Sequence, residues 1–208
     1  MSSAAPSSRE APESRRARIV EEAVRVIGQR GSYGFTIQEL AQRCGLSNAG
    51  LLYHFGSREQ ILLEVLRDAE ARETAFFSPL VMAAEQAASG EPSRKAVLTV
   101  LRAMVARVSA QPELVQLFGV LQAETIDHGH PAHAWRQTRD AVLLDFLARL
   151  VGPHVADPEM TARLLVCLMD GLAQHWLRMD RSFDLAAAWD RALSIHLPDP
   201  APRNRAVG

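Results

Sequence analysis

Apolar residues recur along the chain at the three- and four-residue spacing of amphipathic helices, and the period-two alternation of strands is absent. The first predicted helix covers residues 15–30, with Ile19, Ala23, Val24 and Ile27 on its inner stripe. Gly28, Gly31 and Gly34 surround its end, and Phe35 drops toward the core. A second helix, 37–44, would bury Ile37, Leu40, Ala41 and Cys44, and a short third runs from 48 to about 54. A fourth begins after Ser57, buries Ile61, Leu62, Val65 and Leu66, and reaches about residue 77, long enough to leave the small unit. Pro79, Gly90 and Pro92 are predicted to break the chain between this helix and the next. Further helices are expected at 93–110, 112–126, 132–151, 157–179 and 184–196. The fold class is therefore all-α: about ten helices, four in a small amino-terminal unit and the others in a larger bundle.

The punctuation is densest in residues 36–59, TIQELAQRCGLSNAGLLYHFGSRE. Thr36 with Glu39 and Ser57 with Gln60 each have the spacing of a capping box. Between them Gly45 suits a left-handed turn and Ser47 can cap the next helix. Two short helices about such a turn make a helix-turn-helix, whose second helix fits a DNA major groove. On that helix Asn48 can pair bidentately with adenine, Ala49 shares its face, and Gly50 permits close backbone approach. Tyr53 can reach a phosphate or a thymine methyl, and Gln38 the backbone or a base edge. Thr36, Ser47, His54 and Arg58 are placed to touch phosphates beside the positive ends of three helices.

Composition changes this picture little. Net charge is −1, with +2 in residues 1–60 and −3 in the rest, so DNA binding would need only a local basic face. No run of eighteen apolar residues exists to span a membrane, and the first residues lack the apolar core of a signal peptide. Cys44 and Cys167 form no metal or redox pattern and are expected to be buried thiols in a reducing cytoplasm. The division expected is a disordered arm at 1–14, the DNA-binding unit at 15–60, the bundle at 61–197, and a disordered proline-rich tail at 198–208.

The order of these residues resembles the TetR family of bacterial transcriptional regulators over roughly residues 15–66. Thr36, Leu40, Ala41, Gly45, Leu46, Ser47, His54, Phe55, Ser57 and Glu59 hold the family's places. Leu52 stands where the family usually has a phosphate-contacting tyrosine, with Tyr53 its neighbour, and Arg58 replaces a lysine. The segments VLQAETIDHGHPAHAWRQTRD and LLVCLMDGLAQHWL are similar, more loosely, to parts of the family's ligand-binding half. The resemblance implies a homodimer, paired through its last two helices, that holds double-stranded operator DNA until a small-molecule effector binds. That function is a ligand-responsive repressor of a palindromic operator, not an enzyme. The alternative is an all-helical ligand-binding protein or enzyme without specific DNA recognition.

An effector pocket in the bundle is expected to be apolar and aromatic, with Met104, Phe118, Trp135, Phe146, Met169, His175 and Trp176 as candidate lining. Glu124, Asp127, His128, His130 and His133 lie close in sequence, as zinc ligands can. They straddle a break at Gly129 and Pro131, and a capped helix end accounts for them without metal. No cofactor is expected.

Overall fold

The computed structural model describes residues 12–86 and 92–197. Among these, nine α-helices succeed one another: α1 (Pro12–Gly34), α2 (Ile37–Arg43), α3 (Asn48–Phe55), α4 (Arg58–Gln86), α5 (Arg94–Ala110), α6 (Pro112–Glu124), α7 (His133–Val151), α8 (Pro158–Arg178) and α9 (Leu185–His196), with one 3-10 turn at Gly152–His154. The helices start where the residue types direct. Ser93 Oγ accepts the Ala96 N–H at 3.2 Å, Asp157 Oδ1 that of Met160 at 3.0 Å, and Asp184 Oδ1 that of Ala187 at 3.0 Å. Each cap contributes about 1 kcal/mol.

Three departures from the sequence reading have physical causes. α1 begins at Pro12, inside the span expected to be an arm; proline suits a first helical turn, whose N–H would be unpaired anyway. The rest of that arm, Gly90 and the tail lie outside the described residues. α4 continues through Pro79 to Gln86. Proline removes one N–H, but Leu80 packs into the body's core and holds the next turn in place. Cys44 is buried, whereas Cys167 is exposed on the outer face of α8.

Two cores organise the chain. The first joins Ile19, Ala23 and Ile27 of α1 with Leu40, Leu51 and Phe55 and with Ile61, Leu62, Val65 and Leu66 of α4. It also takes in Leu117 and Leu121 of α6, so its packing does not stop at residue 60. Gly28 makes this approach possible: a Cβ there would lie 3.3 Å from the Leu117 amide nitrogen. The second core centres on Trp189, whose Nε1–H donates to Leu101 O at 2.9 Å, with Leu101, Leu147, Leu165 and Leu193 around it.

Candidate DNA-reading face

The turn between α2 and α3 is built by local chemistry. Thr36 Oγ1 accepts the Glu39 N–H at 3.1 Å, which starts α2. Glu39 does not complete the box; its carboxylate turns to Arg43 at 3.1 Å and Arg30 at 3.5 Å. At the other end Gly45 takes a φ of 66°, open to glycine at little cost. The Leu46 N–H then donates back to Ala41 O at 2.9 Å and the Gly45 N–H to Gln42 O at 3.1 Å, a Schellman closure. Ser47 Oγ accepts the Gly50 N–H at 3.0 Å and opens α3. Ser57 Oγ does the same for Gln60 at 3.2 Å and opens α4.

α3 divides cleanly. Leu51 and Phe55 are buried, while Asn48, Ala49, Leu52 and Tyr53 form one exposed face. Tyr53 is 88% exposed, its ring edge-on to His54 at 5.6 Å. Gly50 and His54 are half-buried at the margins, and Thr36, Gln38 and Ser47 are exposed beside the helix starts. Leu52 belongs to this face, although sequence reasoning treats it only as a missing tyrosine. Its i,i+4 relation to Asn48 is the signal available.

The arginines of the head are already engaged. Arg16 donates to His54 O at 2.9 Å, lies 4.6 Å over the Phe55 ring and pairs with Glu64 at 2.9 Å. That contact holds the Glu64 carboxyl below its usual range. Arg18 donates to Cys44 O at 3.1 Å, and Arg43 bridges Glu22 and Glu39 at 3.2 and 3.1 Å. Arg58, expected to reach out to a phosphate, instead turns inward. Its Nη2 donates to Ser32 O and its guanidinium sits 5.1 Å from the Phe35 ring centre. The groups free to meet a phosphate are therefore chiefly hydroxyls, amides and helix starts.

The histidine segment does not gather as a metal site; no group of three such ligands converges among the described residues. It forms the joint between head and body. Gly31, with φ 76° and ψ 167°, breaks α1 and frees the Ser32 N–H. Glu124, at the end of α6, accepts that N–H on both carboxylate oxygens, at 3.0 and 3.2 Å. His130, buried, accepts the Ala132 N–H on Nδ1 at 3.1 Å, so its Nε2–H faces Ser32 Oγ at 2.7 Å. Tyr33 stands edge-on to His130 at 5.3 Å and donates to Asp127 at 3.5 Å. His133 Nδ1 bonds Thr125 O at 2.7 Å.

The seven candidate effector residues do not share one cavity. Met104 and Met169 border a small void of about 40 Å³ with Leu101, Leu147 and Trp189. Phe118 and Trp135 stack in parallel 6.4 Å apart, with Arg139 over both. Phe146 and Trp176 pack in the body's core, and His175 is exposed, 5.6 Å from Phe183.

Comparison with known proteins agrees with this geometry. Residues 19–65 match the bacterial regulatory proteins of the tetR family. Over 53 residues the chain is 42% identical to the transcriptional regulators BetI of Agrobacterium fabrum and of Rhizobium meliloti, and it spans about a quarter (26%) of their length. The fold as a whole resembles AibR, solved with isovaleryl coenzyme A and operator DNA: TM-score 0.70, 20% identity, 88% of this chain and 98% of that one. It also resembles NalD, the secondary repressor of the MexAB-OprM efflux pump of Pseudomonas aeruginosa: TM-score 0.68, 16% identity, covering 90% and 98%. Residues 19–65 thus match the helix-turn-helix of the bacterial regulatory proteins of the tetR family, at the head of a chain whose fold is similar to those of AibR and NalD.

Proposed function

We propose that the protein is a cytoplasmic, homodimeric transcriptional repressor that leaves a palindromic operator when a small molecule binds its body. The exposed face of α3 carries the reading: Asn48, Ala49, Leu52 and Tyr53 stand out between two capped helix starts. Asn48 reads a base edge, and Leu52 and Tyr53 supply apolar contact to thymine methyls. Thr36, Gln38, Ser47 and His54 set the register on the phosphates, with Gly50 letting the backbone close in. Arg58 supports this face from behind.

A second copy of the chain is the partner on α8 and α9. Met160 (51% exposed), Leu164, Cys167 and Gly171 make one outward stripe on α8, and Ile195 (73% exposed) stands on α9. Covering those apolar groups favours association. Two-fold symmetry then asks for half-sites about 34 Å apart. The effector weakens operator binding by its preference for the other arrangement, about 1–3 kcal/mol.

Selection of bound duplexes from a random pool, with gel shift and sedimentation on the selected sites, tests this reading. A palindrome retained by a dimer is expected. A monomer, or retention indifferent to sequence, would overturn it and point to a helical ligand-binding protein or enzyme.

A further inference from the structure

The void beside Trp189, about 40 Å³, has room for about one water and no larger ligand. A polar cleft of about 420 Å³ between α6, α7 and α8 has Cys167 and Gly171 on its rim, on the stripe assigned above to the second copy. Within it Arg136 pairs with Asp140 at 2.8 Å and lies 3.8 Å from Asp170, so those charges are matched in place.

Arg139, one turn of α7 further on, is not matched. It is half-buried, with its guanidinium 4.7 Å over the Phe118 ring and 5.7 Å over that of Trp135. Contact with ring faces leaves the N–H groups without acceptors, and among the described residues no hydrogen bond or ion pair reaches them. The carboxylates whose charge reaches Arg139 are held elsewhere: Glu73 by Arg107 at 2.9 Å, Asp140 by Arg136, and Asp170 by Gln122 at 2.7 Å. Glu70, on the same seam, accepts the Trp135 Nε1–H at 3.1 Å. Burial pushes the Arg139 guanidinium below the ordinary arginine range and Arg136 adds to this, against the pull of Asp140, Glu73 and Asp170. Burial also raises the Asp170 carboxyl, which weakens the negative side of the group. Arg163, on the outside of α8, keeps its water; Arg139 has lost much of its own and gained no anion in exchange.

Resting on the reading of the chain as an effector-controlled regulator, we propose that the effector is an aromatic carboxylate, its carboxylate paired with Arg139 and its ring beside Phe118 and Trp135. The guanidinium presents a planar fork that a carboxylate fits with two parallel hydrogen bonds. An amine would meet a desolvated cation, and a neutral amide would leave that cation uncompensated. Phe118, Trp135 and Arg139 are each half-buried, so the seam where they meet opens to water. It also touches the elements that lead to the head. Trp135 is tied to Glu70, one turn of α4 past Leu66 in the head's core. Phe118 adjoins Leu117, whose backbone lies against Gly28 of α1.

Benzoate, phenylacetate, phenylacetamide and phenethylamine are similar in size and differ in charge. Thermal shift of the full chain, without DNA, should show stabilisation by the two carboxylates and none by the amide or the amine. Arg139→Gln and, separately, Arg139→Met should weaken carboxylate binding about tenfold or more, and either variant alone suffices for the test. Arg163→Gln removes the unpaired arginine of α8 and should leave that binding as it was. Stabilisation by the amide or the amine as strong as by phenylacetate overturns the proposal. So does carboxylate binding that both Arg139 variants keep, binding lost in Arg163→Gln, or no shift from any of the four. Gel shift of the unliganded protein runs alongside: failed operator binding counts against the regulator reading, whereas intact operator binding without carboxylate binding counts against this assignment alone.

Discussion

Gly31→Ala is the substitution whose cost the structure resolves most fully. The backbone there has φ 76° and ψ 167°, a region almost reserved for glycine, and forcing an alanine into it costs about 1–3 kcal/mol. A Cβ would also collide with Glu124 Oε1. If the carboxylate swings away, the Ser32 N–H is left unpaired in a residue that is buried, a further loss of about 1–3 kcal/mol. The total, about 2–6 kcal/mol, rivals the whole stability of many domains. For a chain of this size it lowers Tm by roughly 5–20 °C. Glu124→Ala alone should cost only the second part, about 1–3 kcal/mol. In the double variant the collision is gone and the Ser32 bond is lost only once, so the pair should cost less than the sum by that same amount. Urea unfolding of the four proteins reads the cycle directly. A neutral Gly31→Ala, or strictly additive losses, would refute the argument that Glu124 occupies the space an alanine needs.

Asn48→Ala should relax operator preference at one base position by about 1–3 kcal/mol, read by competition gel shift against single-base variants of the selected site. Arg58→Met should lower stability by about 1–3 kcal/mol while leaving the salt dependence of operator binding unchanged, since its guanidinium faces Ser32 and Phe35. With Arg16, Arg30 and Arg43 paired inside the head, the plot of log K against log salt should be shallower than about −4 for the dimer. A slope near about −6 would mean that these pairs open on DNA. Arg16→Met should remove most of the acid-sensitive stability that Glu64 contributes, Arg67 keeping a smaller share. The Glu64 carboxyl is depressed by Arg16 in the folded state, so its contribution is present above the ordinary glutamate range and lost as pH falls through the folded value. The stability gap between wild type and variant should therefore close toward low pH in urea titrations.

What can be read from the chain alone is the chemistry that acts within a few residues. Thr36, Ser47, Gly45 and Ser57 each act on a partner one helical turn away, so residue type and spacing identify the caps and the turn. Arg58 is the counterexample. Its phosphate role is inferred from position in the motif, yet its acceptor lies 26 residues upstream, on a strained turn that no local pattern announces. Glu124 and Ser32 are 92 residues apart, and the histidines near Glu124 suggest a metal only until the body is docked on the head. The effector candidates are chosen for apolarity, and apolar side chains in a helical bundle mostly fill one another's space. The polar cleft depends on three helices meeting and leaves no periodic trace. Pro79 is overridden from outside the helix, by the packing of Leu80.

That overridden proline has a mechanical consequence. Because α4 does not stop there, 29 residues form one strut of about 43 Å, with Leu62, Val65 and Leu66 set in the head and Leu80 in the body. A strut of that length converts angle into distance. A tilt of about 5° at one end moves the other by roughly 4 Å, close to the step of about 3.4 Å from one base pair to the next. Repacking too slight to change any fold could thus put a recognition helix one rung out of register.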